Sequence, residues 1–170
     1  MVLVLMGVEG SGKTTVGKLL AHELGWQFAD ADDFHPTASI EKIRRGLPLD
    51  DCDRAPWLST LHKEIEQWNE SQQNVVLACS ALKRSYRDQL RAGPVQFVYL
   101  KGSDELIAGR LRSRQRHFAS ESILASQFAD LEEPDDALMV AIDQTPKAIA
   151  TEIMDQLKLP PLAYPDAAQI

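Results

Sequence analysis

Cysteine is scarce in this 170-residue chain, with only Cys52 and Cys79. Neither stands in a CxxC or other metal-ligand spacing, which sets aside a cysteine metal site and makes a reduced, cytoplasmic protein the simplest account. Long apolar runs are missing too. No stretch approaches the roughly 20 apolar residues of a membrane span. Met1 to Val8 is too short for a secretory segment and leads straight into glycines. No membrane partner is therefore expected. Basic charge is also short: 18 Lys and Arg face 25 Asp and Glu, a net charge of −7. Phosphate backbones need a broad basic face, so no nucleic-acid partner is expected either. A small anionic ligand remains open, because a few local cations suffice to hold one.

What is present is alternation. Val2–Met6 is a short apolar run and reads as a buried parallel strand. Further strands are expected at Trp26–Asp30, Asn74–Cys79, Gln96–Leu100 and Leu138–Ile142. Helical spacing lies between them. Val16, Leu19, Leu20 and Leu24 share a face over Lys13–Leu24, and Gly25 is a plausible stop. Trp57, Leu58, Leu61, Ile65 and Trp68 form one stripe over Ala55–Gln72. Ala81–Leu90, Asp104–Arg114 and Pro146–Leu157 are the other helix candidates. Such alternation implies βαβ crossovers and an α/β fold with a parallel sheet covered by helices on both sides. One domain over residues 1–160 suits the length. Prolines punctuate the last stretch, so 161–170 reads as an extended tail.

Gly7-Val8-Glu9-Gly10-Ser11-Gly12-Lys13-Thr14 matches G-x-x-x-x-G-K-[ST] in full, with a strand before it and a helix after it. Glycines let backbone N–H groups turn inward around a phosphate, and the helix start adds the positive end of its dipole. Lys13 can reach the β- and γ-phosphates, and the Thr14 hydroxyl can ligate Mg²⁺. Thr15 follows in the same first turn. The motif by itself says that a nucleoside triphosphate binds. The NKxD string of a GTPase is absent. The second strand then ends in Asp30-Ala31-Asp32. Ligands of open α/β sheets bind beyond the carboxyl ends of strands, so both aspartates belong near the loop. Phosphoryl transfer needs one carboxylate at the acceptor hydroxyl and another organising the metal shell; Asp32 is assigned the first role and Asp30 the second.

Several longer strings carry a family resemblance. They are Asp30 through His35-Pro36, Glu41 through Asp51, Asp53-Arg54-Ala55-Pro56-Trp57-Leu58, Cys79-Ser80-Ala81-Leu82-Lys83 through Arg91, and Phe97 through Gly102. A further match runs from Arg110 to Pro134. In order and over roughly residues 3–145, the chain resembles the gluconokinases. Departures are Ser39 where the family usually has Asn, Ile43 where it has Met, and Arg116 where Gly is common. The resemblance implies a three-layer P-loop fold with a five-stranded parallel sheet, a mobile lid over about 110–128, and a homodimer. It implies ATP and Mg²⁺ as cofactors and transfer of the γ-phosphate to the 6-hydroxyl of D-gluconate. Adenine is expected near Asp143, Gln144, Thr145 and Pro146.

An acceptor of that kind carries one carboxylate and five hydroxyls, so its pocket needs a fixed cation and several hydrogen-bonding groups. His35, Lys42, Arg45, Arg54, Lys83, Arg84 and Gln127 are the candidates, with Arg54 favoured for its planar fork. Arg110 and Arg114 share a helix face and fit a lid that closes over phosphates, with Arg114 stabilising the transferring group. Trp57 and Trp68 read as core. Two alternatives stand beside this reading. A shikimate kinase would carry Gly-Gly-Gly where Cys79-Ser80-Ala81 stands. A nucleotide-sensing module without an acceptor would need neither Asp32 nor the cations.

Overall fold

Alternate residues of the first strand are buried on opposite sides, and that places the chain in three layers. A computed structural model describes residues 1–113 and 119–162. Strands β1 (Val2–Met6), β2 (Gln27–Asp30), β3 (Val75–Ala78), β4 (Val95–Lys101) and β5 (Leu138–Ala141) form one sheet in the order β2-β3-β1-β4-β5. Every pairing is parallel. Leu3 and Leu5 face one core with Val76, Val98, Leu100 and Val140. Helices α1 (Lys13–Leu24), α5 (Asp104–Ser113) and α7 (Pro146–Leu157) cover it through Val16, Leu20, Ile107, Leu111, Ile149 and Ile153. Val2, Val4 and Met6 face the other core with Leu77, Phe97 and Tyr99. Helices α3 (Asp51–Glu70) and α4 (Arg84–Gln89) cover that side through Trp57, Leu58, Leu61, Ile65 and Tyr86. β1 and β3 are buried along their whole length, as expected of central parallel strands.

Connectivity then locates the crevice. The chain leaves β1 through α1 on one face and leaves β3 through α4 on the other, although the two strands are neighbours. Such a switch point opens a groove beyond the carboxyl ends of the two strands. The loops Gly7–Gly12 and Cys79–Lys83 bound it.

The expected elements stand with shifted ends. α3 starts four residues before the expected Ala55, because the Asp50 side chain accepts from the Asp53 N–H while Asp53 reciprocates to the Asp50 N–H. α4 starts at Arg84 rather than Ala81. Ala81 has φ 44°, a left-handed conformation that a helix start cannot use, and Lys83 is extended. Two helices were not expected: α2 (Thr37–Arg44) and α6 (Ala119–Asp130). Trp68 is only partly buried, at the rim of the second core, with Phe34 edge-on at 6.3 Å. Among the described residues no helix is long and apolar enough to cross a membrane. Most of the expected tail, 163–170, lies outside the described residues.

Candidate active site

The glycines of the first loop hold conformations that side chains would block. Gly7, Gly10 and Gly12 have φ of 144°, 84° and 101°. A Cβ on Gly7 would sit 3.0 Å from Leu100 O and from Ser11 Oγ. Gly12 caps α1 without a side-chain hydrogen bond, so the first N–H groups of the helix are left for a ligand. The Ser11 Oγ is buried with no hydrogen-bond partner among the described residues. A tight loop with open amides and an orphan hydroxyl fits a phosphate group. Lys13 Nζ donates to Gly7 O at 2.9 Å and Val8 O at 3.0 Å, which parks it on the rim of that cradle. Burial lowers its pKa against the opposing pull of Asp32. The loop and the acidic edge meet directly: Thr14 Oγ1 donates to Asp30 Oδ2 at 3.0 Å. That hydroxyl–carboxylate pair fits Mg²⁺, a hard cation that takes a few oxygen ligands alongside phosphate and water.

A cavity of about 570 Å³ extends from this cradle. Its wall includes Glu9, Gly10, Gly12, Lys13, Thr14 and Thr15 on the donor side, and Asp32, His35, Arg54, Trp57, Tyr86 and Gln127 on the acceptor side. The Asp30 side chain accepts from the Asp32 N–H at 3.2 Å, so the two carboxylates turn in fixed relation. Asp32 is 82% exposed on its side chain and opens to the cleft. Partial desolvation by the cleft walls, then the Asp30 charge, raises its carboxyl above the usual aspartate value. His35 stacks on Trp57 with centroids 4.6 Å apart and planes 10° apart, and Trp57 donates to Ala31 O at 2.7 Å. The His35 Nε2 lies 4.0 Å from Asp32 Oδ1. Burial lowers the His35 pKa, leaving a neutral imidazole at pH 7.

On the far wall, Arg54 Nη1 donates to the Tyr86 hydroxyl at 3.1 Å and lies 3.5 Å from Asp130 Oδ2. Lys83 Nζ donates to Asp51 Oδ1 at 2.8 Å and lies 3.8 Å from Asp130 Oδ1. The bond to Asp51 raises the Lys83 pKa, which keeps it charged. Gln127 Oε1 accepts from the Glu9 N–H at 2.5 Å, linking α6 to the phosphate loop.

Lys83 stands beside Arg54 through Asp130 but does not itself line the cavity, and other expected residues lie further from it. Lys42 is paired with Asp53 at 2.5 and 2.7 Å and joins α2 to the cap of α3. Arg45 is the exposed C-cap of α2, and Arg84 is an exposed first residue of α4 whose backbone N–H donates to Glu132 Oε2. Ser39 is buried and donates to Asp53 O at 3.4 Å, so it too braces the α2–α3 junction. Ile43 is 46% exposed and lines the cavity with Leu47 and Leu49. Arg110 spans two loops, donating to Ser11 O and to Ile142 O, next to the segment expected to hold adenine. Arg114 and Arg116, with the centre of the expected lid, lie outside the described residues.

Sequence reasoning missed Tyr86, Arg87, Asp51 and Asp130. Tyr86 and Arg87 sit inside the quoted string that starts at Cys79. Arg87 is 3% exposed and donates to Ala81 O and Leu82 O, fixing the loop after β3. Asp51 closes the string that starts at Glu41 and Asp130 falls within the match from Arg110 to Pro134, but neither residue type points to a contact with Lys83 or Arg54. Cys79 is buried just beyond β3, as expected of a small strand-end residue, and burial pushes its thiol up to about 12. Trp57 is core as expected, and it also forms cavity wall.

A phosphate cradle at the switch point of a parallel sheet, opposite a carboxylate and a pair of cations, defines a P-loop phosphotransferase for a small acceptor. The family model described as shikimate kinase matches residues 9–158. A gluconokinase of Gluconobacter oxydans is 45% identical over 157 residues, covering 89% of this chain and 88% of its own. The crystal structure of a gluconokinase from Sinorhizobium meliloti superposes with a TM-score of 0.83 at 40% identity, covering 92% and 90% of the two chains. That of a sugar kinase from Janibacter superposes at 0.85 and 42% identity, covering 93% and 94%. This chain belongs to the shikimate kinase family and, within it, to the gluconokinases.

Proposed function

We propose that this protein transfers the γ-phosphoryl group of ATP to the 6-hydroxyl of D-gluconate, forming 6-phospho-D-gluconate and ADP. The observation that carries the reading is the single cavity joining Lys13 and Thr14 to Asp32 and Arg54. ATP lies with its phosphates in the Gly7–Thr14 loop. Thr14 and Asp30 would hold Mg²⁺, which would supply charge neutralisation at the phosphates. Asp32 accepts the proton of the acceptor hydroxyl. The hydroxyl oxygen bonds to the γ-phosphorus as the bond to the β–γ bridging oxygen breaks. ADP leaves with those electrons, and the proton stays on Asp32 until solvent takes it. Lys13 follows the charge that grows on the phosphates, and Arg110 and Arg114 close over them.

Arg54 and Lys83 bind the acceptor carboxylate, while His35 and Gln127 meet its hydroxyls. Lys42, Arg45 and Arg84 stand further out, and the pairings of Lys42 favour a bracing role for it. The segment 110–128 acts as the lid. The protein works in the cytoplasm as a homodimer, without nucleic-acid or membrane partners. A coupled ADP-release assay across gluconate, shikimate, gluconate analogues and no acceptor tests the reading. Gluconate alone should raise the rate well above the acceptor-free background; equal rates with and without it would sink the assignment.

A further inference from the structure

Two carboxylates bracket the acceptor-side cations, and they are not equivalent. Asp51 is 67% exposed, is not part of the cavity lining, and forms the short contact to Lys83. Asp130 is 28% exposed, lines the cavity, and approaches Arg54 and Lys83 only at 3.5 and 3.8 Å. The cations do not depend on Asp130 for their placement. Arg54 keeps the Tyr86 hydroxyl at 3.1 Å, and Lys83 keeps Asp51. Asp130 is also the last residue of α6, where the helix dipole disfavours a negative side chain. Glu9, Asp30 and Asp32 line the same cavity, so a further carboxylate repels an anionic ligand entering it.

We propose that Asp130 is a positioning residue that restrains the anionic acceptor: it lines the cavity beside Arg54 and within reach of Lys83 until the acceptor's own carboxylate takes its place. This inference rests on gluconate as the acceptor. An anionic acceptor repays the displaced contact by forming a better-aligned two-point bond with Arg54. A neutral polyol of the same length has no carboxylate to replace Asp130, so it binds with the Asp130 contact in place. Asp130 thus weakens binding of the anionic acceptor alone, and the neutral polyol is indifferent to it. Displaced, Asp130 turns to solvent from the end of its helix, three residues beyond the Gln127 contact to the phosphate loop.

The test is Asp130→Asn, with KM and kcat for gluconate measured beside the inhibition constant of the neutral analogue glucitol. Removing a partly exposed competing contact should lower the gluconate KM by about two- to five-fold. The glucitol constant should stay put, and kcat should change less than KM. An unchanged or raised gluconate KM overturns the proposal, because a brace for Arg54 would give that result. A parallel tightening of glucitol also overturns it, because it would mean only a roomier pocket. If the Asn variant does not fold, Asp130→Ser takes the same comparison. Wild-type turnover of gluconate is measured first. Its absence removes the acceptor assignment, which the variant's KM alone does not touch.

Discussion

Asp32 is the proposed base, and its environment acts in opposite directions on activity and on stability. Its carboxyl is raised by the cleft walls and by Asp30. As a base it must be ionised, so the acidic limb of the kcat/KM profile should lie above the ordinary aspartate value. A limb at or below that value in a pH–rate series would count against the role. Asp32→Ala should cut turnover on the order of 10²–10⁴-fold at little change in fold. Stability moves the other way. Between the unfolded and the raised folded pKa, the folded chain keeps a proton that the unfolded chain has lost. Stability from this group is therefore fully present below the unfolded pKa and declines as pH rises through the folded one. Asp32→Asn should then melt slightly higher than wild type at pH 7, with the gap closing below pH values where both states are protonated. Thermal melts at several pH values check it. The sequence showed Asp32 through its D-x-D spacing beside the loop motif. It could not show Tyr86, whose hydroxyl reaches Arg54 across 32 residues. Nor could it show Asp130, because no local pattern records a contact made between distant helices.

At the scale of the element, α3 and the loop before α4 hold the acceptor wall. The reciprocal Asp50–Asp53 cap starts α3 early and places Arg54 in its first turn. Asp53 also receives Lys42, so the cap ties α2 to α3. Asp50→Ala should lower stability by about 1 kcal/mol and raise the gluconate KM, read by denaturant unfolding and steady-state assay. The loop Cys79–Lys83 depends on Arg87, whose guanidinium satisfies two carbonyls next to the left-handed Ala81. Arg87→Ala should cost about 1.5–3 kcal/mol, because buried carbonyls lose a charged donor. A melting temperature equal to wild type would contradict that account. Strand positions and the stripe of α3 were legible from period and burial alone. The late start of α4 was not, since a left-handed alanine leaves no trace in residue type.

The whole molecule joins two cores through one sheet, and the ligand crevice opens where their connections part. Loss of the phosphate anchor should leave both cores intact. Lys13→Ala should keep the fold by circular dichroism yet lose the rise in melting temperature that ATP gives wild type. For wild type that rise corresponds to about 2.7 kcal/mol at 100 times the dissociation constant. An equal ATP shift in the variant would remove Lys13 from phosphate binding.

By itself the sequence determined the phosphate loop, the acidic strand end, the parallel α/β order and the family. Each is written in residues close along the chain, as a turn that demands glycine, a period of two or 3.6, or a contiguous string. Only the tertiary structure decided how the candidate cations pair. Arg54 and Lys83 meet at Asp130, while Lys42 turns to Asp53, and these pairings bridge separate helices. Side chains of equal charge acquire different tasks there, because burial and the nearest counter-charge, rather than residue type, set where each can point.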